Sequence, residues 1–263
     1  MNKLFSLLII ASAVIVGSGC TRPKLVPGVP VQDGFETPSL SNLWATDKIL
    51  ASDYAIQSVV VRSGKSAIQI TLHTSDHFEA GQHGNNNSER AELTEVYQLY
   101  STEGNSYAFS FSMFLPPDFP IVDTRLVIAQ WKQLCEWNRK CDDNSPVLAI
   151  RYRVGILSVT QSLGAHRITL WQSSGEDVRN KWMDFRFRIR FTADTSGYIT
   201  AFLNDSLILN YTGATAYQEN DSTGYPSPSR FYFKMGLYRD VMNQPMTIYI
   251  DDYSKELLSA EKK

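Results

Sequence analysis

The chain has 263 residues, with 25 Lys and Arg against 27 Asp and Glu, for a net charge of −2. That balance gives no global basic field and argues against nucleic acid as a partner, so attraction for a polyanion must be local. No stretch is long and apolar enough to span a bilayer as a helix.

The first residues read as an export signal, residues 1–19. Lys3 gives the positive start, Leu4 to Val16 is an apolar run, and Gly17-Ser18-Gly19 supplies small residues before Cys20. Cys20 in that position is similar to the lipidated cysteine of bacterial lipoproteins, although Gly17 stands where such sites usually carry Leu. Residues 20–32 then form a tether, with a Pro-rich run from Pro23 to Pro30. The expected location is the bacterial cell envelope, either lipid-anchored at the outer membrane or, as the alternative, periplasmic or secreted. Membrane contact is expected only through the anchor, and the chain is expected to be monomeric. With Cys20 assigned to lipid, Cys135 and Cys141 remain as one pair bracketing a short polar loop. In an oxidising compartment they are expected to form a disulfide.

Strand signals dominate residues 33–256, read as one domain with a tail over 257–263. Ser58 to Arg62 and Ala67 to Leu72 flank the turn Ser63-Gly64-Lys65 and read as a hairpin. Further strands are expected at 89–97, 106–114, 126–132, 147–154, 157–161, 166–172, 183–191, 199–203, 231–238 and 246–253. Short helical pieces are read near Ser39 to Trp44 and Lys255 to Ala260. Many strands at short spacing, with no βαβ alternation, predict an all-β sandwich or jelly roll.

Three alternating segments carry the chemistry. In Ser88-Glu89-Arg90-Ala91-Glu92-Leu93, Arg90 and Glu92 share a face opposite Ala91 and Leu93. In Gln130-Trp131-Lys132, the polar pair opposes Ala129 and Trp131. In Tyr232 to Arg239, the side chains of Tyr232, Lys234 and Tyr238 oppose Phe233, Met235 and Leu237. A sheet face carrying Arg, Gln, Lys and Tyr suits an anionic sugar and proton transfer on it. The three arginines of Phe185 to Phe191 read instead as the solvated side of a one-side-wet strand, and Trp131 and Trp182 as core.

In order along nearly the whole mature chain, several motifs resemble polysaccharide lyases of the heparin lyase I and glucuronan lyase type. They are Asp33-Gly34-Phe35-Glu36, Arg62 to Ala67, Ser88 to Leu93, Gln130-Trp131-Lys132, Trp182 to Phe185 and Lys234 to Arg239. Alginate lyases of the same fold carry a more distant version. The resemblance implies a β-jelly roll of two antiparallel sheets with a concave groove. It also implies β-elimination on a uronic-acid polymer: glucuronan, alginate or a glycosaminoglycan-like chain. Under it, Arg90 and Gln130, supported by Lys234, neutralise the uronate carboxylate, and Tyr238 is the acid. The C5 base stays open among Tyr238, Lys132 and His83, because Lys132 stands where the family commonly has His. Glu92, Asn87, Arg151, Arg153, Tyr232 and Arg239 are candidate substrate-side residues, with Glu92 read as orienting Arg90 or Arg151. Glu36, Asp251 and Asp252 match the places where such jelly rolls hold a structural Ca²⁺; no organic cofactor is expected. Two other functions compete. A glycoside hydrolase needs a pair of flanking carboxylates, and Glu89 and Glu92 fall on opposite faces. A non-catalytic carbohydrate-binding or adhesion module would keep the groove without a proton donor.

Overall fold

The computed structural model describes residues 28–76, 88–135, 141, 145–164, 166–218, 225–226 and 228–259. The leader, Cys20, His83 and Asn87 lie outside the described residues. Sixteen strands occur among them. The first eight are β1 (Val31–Asp33), β2 (Trp44–Ala45), β3 (Tyr54–Gln57), β4 (Ala67–Leu72), β5 (Ser88–Glu95), β6 (Ser101–Thr102), β7 (Ser106–Phe114) and β8 (Leu126–Gln133). The others are β9 (Leu148–Arg153), β10 (Ile156–Ser162), β11 (Arg167–Gln172), β12 (Trp182–Arg190), β13 (Tyr198–Leu203), β14 (Ser206–Thr212), β15 (Arg230–Asp240) and β16 (Met246–Leu258).

They form two antiparallel sheets in a jelly roll. The back sheet runs β14-β13-β12-β7-β16-β4-β3, with β1 added to β16. The front sheet runs β11-β10-β9-β8-β15-β5-β2, with β6 added to β15. Alternation drives the packing, since each strand sends every second side chain between the sheets. Phe109 and Phe187 of the back sheet meet Trp131 of the front sheet at 5.5 and 4.7 Å between ring centroids, and Phe111 meets Phe233 at 5.2 Å. The solvated side of β12 carries Arg186 and Arg188, both exposed, while Phe185, Phe187 and Ile189 are buried. A buried ion pair also ties the layers together: Lys255 on β16 donates to both oxygens of Glu95 on β5 at 3.0 Å.

Several local expectations need correction. No α-helix occurs among the described residues, and the segments near Ser39 and Lys255 are not helical. The second continues β16 to Leu258, with Lys255 paired to Phe109 and Val31, so the strand enters the expected tail. The hairpin partner of β4 is Tyr54–Gln57, not Ser58 to Arg62. The Gln57 side chain accepts from the backbone of Val59 and Val60, folding the next residues into a loop. Trp182 is only half-buried, against Phe114.

Two features of the front sheet position the site. Gly236 on β15 pairs with Glu92 at φ +139°, and a Cβ there would lie 2.2 Å from the Ala91 carbonyl oxygen. Only glycine lets β5 approach this closely. The register of β8 also slips, against β15 between Met235 and Tyr238 and against β9 between Val127 and Ala129. A bulge of this kind turns the side-chain alternation over. Gln130 and Lys132 therefore share the open face with odd-numbered Val127, whose partners are Tyr238 and Arg151.

Candidate active site

Side chains from five front-sheet strands and the segments flanking them line a cavity of about 210 Å³. Arg90 comes from β5, Gln130 and Lys132 from β8, Arg151 from β9, and Lys234 and Tyr238 from β15. Arg125, Arg167, Ser145 and Pro146 complete much of the wall. Cross-strand register explains the convergence, because Tyr238 lies opposite Arg90 on one side and Val127 on the other, and Lys234 lies between Thr94 and Gln130. The Tyr238 ring is flanked by two guanidinium groups, Arg90 at 4.1 Å and Arg125 at 4.7 Å from its centroid. Contacts of this type hold both ring and cation in place.

Glu92 organises the cavity from below. Its carboxylate is 1% exposed, accepts a hydrogen bond from Gln130 Nε2, and lies 3.7 Å from Arg90 Nη1 and 3.9 Å from Lys234 Nζ. To reach Gln130 the side chain crosses β15 at the position where Gly236 has no side chain. Glu92 does not line the cavity and lies beside Arg90, the place of a group that orients that guanidinium. Lys234 is buried, and burial pulls its pKa below the ordinary 10.5, with Arg90 adding to the effect and Glu92 opposing it. Arg151 is 9% exposed and donates from Nε to Thr160 Oγ1 at 2.9 Å. Burial, then Arg167 and Arg125, lower its pKa to about 10.

The sequence matches the polysaccharide lyase family over residues 35–254. The chain belongs to that family. Among solved structures, it resembles an endo-β-1,4-glucuronan lyase from the fungus Trichoderma reesei, with a TM-score of 0.58 and 15% identity over 81% of this chain and 94% of that one. An alginate lyase of polysaccharide lyase family 7 gives a TM-score of 0.54 at 13% identity, over 80% of this chain and 85% of the other. The catalytic domain of a glycoside hydrolase family 131 protein from Coprinopsis cinerea gives 0.53 at 13%, over 84% of each chain. Such identities establish the fold alone, and the fold hosts both lyases and a hydrolase. No curated protein sequence matches.

The remaining candidates divide clearly. Arg153 lines the neighbouring cavity and is paired with Asp123. Tyr232 is half-buried, stacks on Tyr100 at 5.1 Å between centroids, and borders a third cavity with Tyr97 and Asp47. Arg239 does not reach the open face. It is fully buried on the inner side, where its guanidinium holds Glu89 at 2.8 Å and donates to the Gln244 carbonyl at 2.6 Å. Glu89 in turn accepts from the Ser75 backbone at 2.6 Å. Arg239→Ala would leave that carboxylate buried without its partner and is expected to cost about 3–5 kcal/mol of stability. Urea unfolding checks this; a loss below about 1 kcal/mol would refute the structural role assigned to the pair.

Glu36, Asp251 and Asp252, the residues expected around a calcium ion, all direct their carboxylates to the 62–66 turn. Glu36 accepts from the Lys65 and Ser66 backbone at 3.0 and 3.5 Å, and Asp251 from Arg62 and Ser63 at 3.0 and 3.2 Å. Asp252 accepts from the Ser63 hydroxyl at 2.5 Å. All three brace the 62–66 turn. Among the described residues, only Asp53, His73 and Asp76 bring three ligand-type groups within mutual reach. Cys135 and Cys141 form a disulfide at the margin of the 135–145 segment. Arg125 and Arg167 escaped the sequence reading. The signal for Arg125 was its spacing from Val127, which is informative only once the bulge is known.

Proposed function

We propose that the protein cleaves a uronic-acid-containing polysaccharide by β-elimination and leaves unsaturated uronate ends. One observation carries the reading: Arg90, Gln130, Lys132 and Lys234 converge beside the Tyr238 phenol, and no described residue lining that cavity is a carboxylate. The family match supports lyase chemistry, and the neighbours named for glucuronan and alginate support an anionic polymer.

In the reaction a base takes the C5 proton, the C5–H electrons form the C4–C5 double bond, and the C4–O bond breaks. The departing oxygen receives a proton. Negative charge builds on the uronate carboxylate as the C5 proton leaves. Preorganised donors at that point supply the main electrostatic contribution. Arg90, Gln130 and Lys234 fill that role, held in position by Glu92. Tyr238 supplies the proton to the leaving oxygen. Tyr238 and Lys132 both face the cavity as groups able to take the C5 proton; Lys132→Ala separates them, because a base lysine takes nearly all turnover with it when removed. Hydrolysis would need two carboxylates flanking the bond, and the carboxylate beneath the cavity, Glu92, is already engaged by Gln130 and two cations. From the leader and Cys20, the reaction is assigned to the bacterial cell envelope.

The test is a panel of glucuronan, alginate and unsulfated glycosaminoglycans incubated with the full chain. Formation of the conjugated double bond is followed by ultraviolet absorbance. A rise with any of them supports elimination. New reducing ends without absorbance would mean hydrolysis, and binding with neither would mean a non-catalytic module.

A further inference from the structure

Beside the central cavity is a larger one of about 630 Å³, and Arg125, Arg151 and Arg167 line both. Cations here differ in how they are compensated. Arg90 and Lys234 face Glu92, Arg125 pairs with Asp240 at 2.8 Å, and Arg153 pairs with Asp123. Arg151 and Arg167 have no ion pair among the described residues. Arg151 is nine-tenths buried, and its one side-chain hydrogen bond, from Nε to Thr160, leaves the end of the guanidinium directed to the cavities. Holding a buried cation without a counter-charge is costly, and the cost falls away when an anion arrives. The lowered pKa of Arg151, caused by burial and by its two arginine neighbours, reports the same deficit.

Register places this group relative to the chemistry. Tyr238, Val127 and Arg151 are successive cross-strand neighbours on β15, β8 and β9, so Arg151 starts two strand spacings, about 10 Å, from Tyr238. Its side chain stands at the border between the cavity that takes the cleaved sugar and the next one. The far end of the groove is different, bordered by Tyr97, Tyr100 and Tyr232 with Asp47, and is suited to the apolar faces of sugar rings.

Resting on the elimination reading, we propose that Arg151 and Arg167 form a second anion subsite for the acid group of the sugar next to the one cleaved. The substrate class is then a homopolyuronate, with an acid on every sugar. A polymer in which uronates alternate with neutral sugars leaves this subsite empty.

The proposal is tested with Arg167→Gln and Arg151→Gln, the first at an exposed position that keeps the test alive should the second fail to fold. Binding is measured by calorimetry in the Tyr238→Phe background, with saturated oligomers of glucuronan or polymannuronate and with unsulfated hyaluronan oligomers as the alternating probe. Loss of a charge-assisted contact is expected to weaken homopolyuronate binding about 10–100-fold. Hyaluronan binding should change less than about twofold. Equal losses on both probes, or none on the homopolyuronates, overturn the proposal. These outcomes are independent of turnover: failure of every polymer to yield unsaturated product would overturn elimination and leave the binding result to decide the subsite.

Discussion

Tyr238→Phe is expected to remove about three orders of magnitude or more from kcat while leaving substrate binding close to that of the parent protein. The substitution takes away one oxygen and little else. The ring stays between Arg90 and Arg125, whose contacts at 4.1 and 4.7 Å are with the aromatic face and do not need the hydroxyl. Backbone pairing to Arg90 and Val127 is also untouched. What disappears is the group that can hand a proton to the C4 oxygen. Single-turnover measurement of the unsaturated product separates this from a binding defect. A variant within about tenfold of the parent would remove Tyr238 from the proton path, since general acid–base groups contribute more than that. The elimination would then need another acid.

The site was legible where alternation and pairing agree. Lys234 and Tyr238 share one side of β15 and Gln130 and Lys132 share one side of β8, so period-two reading alone found the centre of the cavity. The same rule places Arg239 on the inner side with Phe233 and Leu237. It became a candidate because it belongs to a motif, and its burial against Glu89 shows that a motif mixes groups that act with groups that support. Arg125 failed for the opposite reason. A strict alternation from Gln130 backwards puts position 125 inside, and the slip near Val127 reverses this. A bulge leaves no sequence signature as strong as a turn does, because it is decided by pairing with strands far away in the chain. Gly236 was equally silent: its role depends on how near β5 passes, which no local pattern records. The strands themselves were found more easily than their partners. Ala67–Leu72 was recognised, but the choice of Tyr54–Gln57 over the following Val-rich run depends on the Gln57 side chain closing a loop.

Glu92→Gln should have the second-largest effect, and it acts through charge rather than shape. The glutamine keeps nearly the same volume beneath β15 but leaves Lys234 and Arg90 without the carboxylate that lies 3.9 and 3.7 Å from them. Removing one partner from a buried ion pair costs about 3–5 kcal/mol, and Arg90, partly exposed, accounts for less of this than Lys234. The direction of the pH response follows from Lys234. Its pKa is already held below 10.5 by burial, and the nearby Glu92 carboxylate is the main influence pulling it back up. Without Glu92 it falls further. The native variant then gives up its Lys234 proton more readily than the unfolded chain does, so stability recovers as pH rises through the folded-state pKa towards the ordinary value. Activity moves the other way, because a neutral Lys234 no longer compensates the uronate: the alkaline limb of kcat/KM should shift to lower pH, with kcat/KM at neutral pH down about a hundredfold, of the order of one lost preorganised donor. Urea unfolding across pH and the pH profile of kcat/KM check both halves. An alkaline limb that stays in place would mean that Lys234 is not the group whose charge the reaction needs, and that Glu92 serves the cavity only by fixing the amide of Gln130.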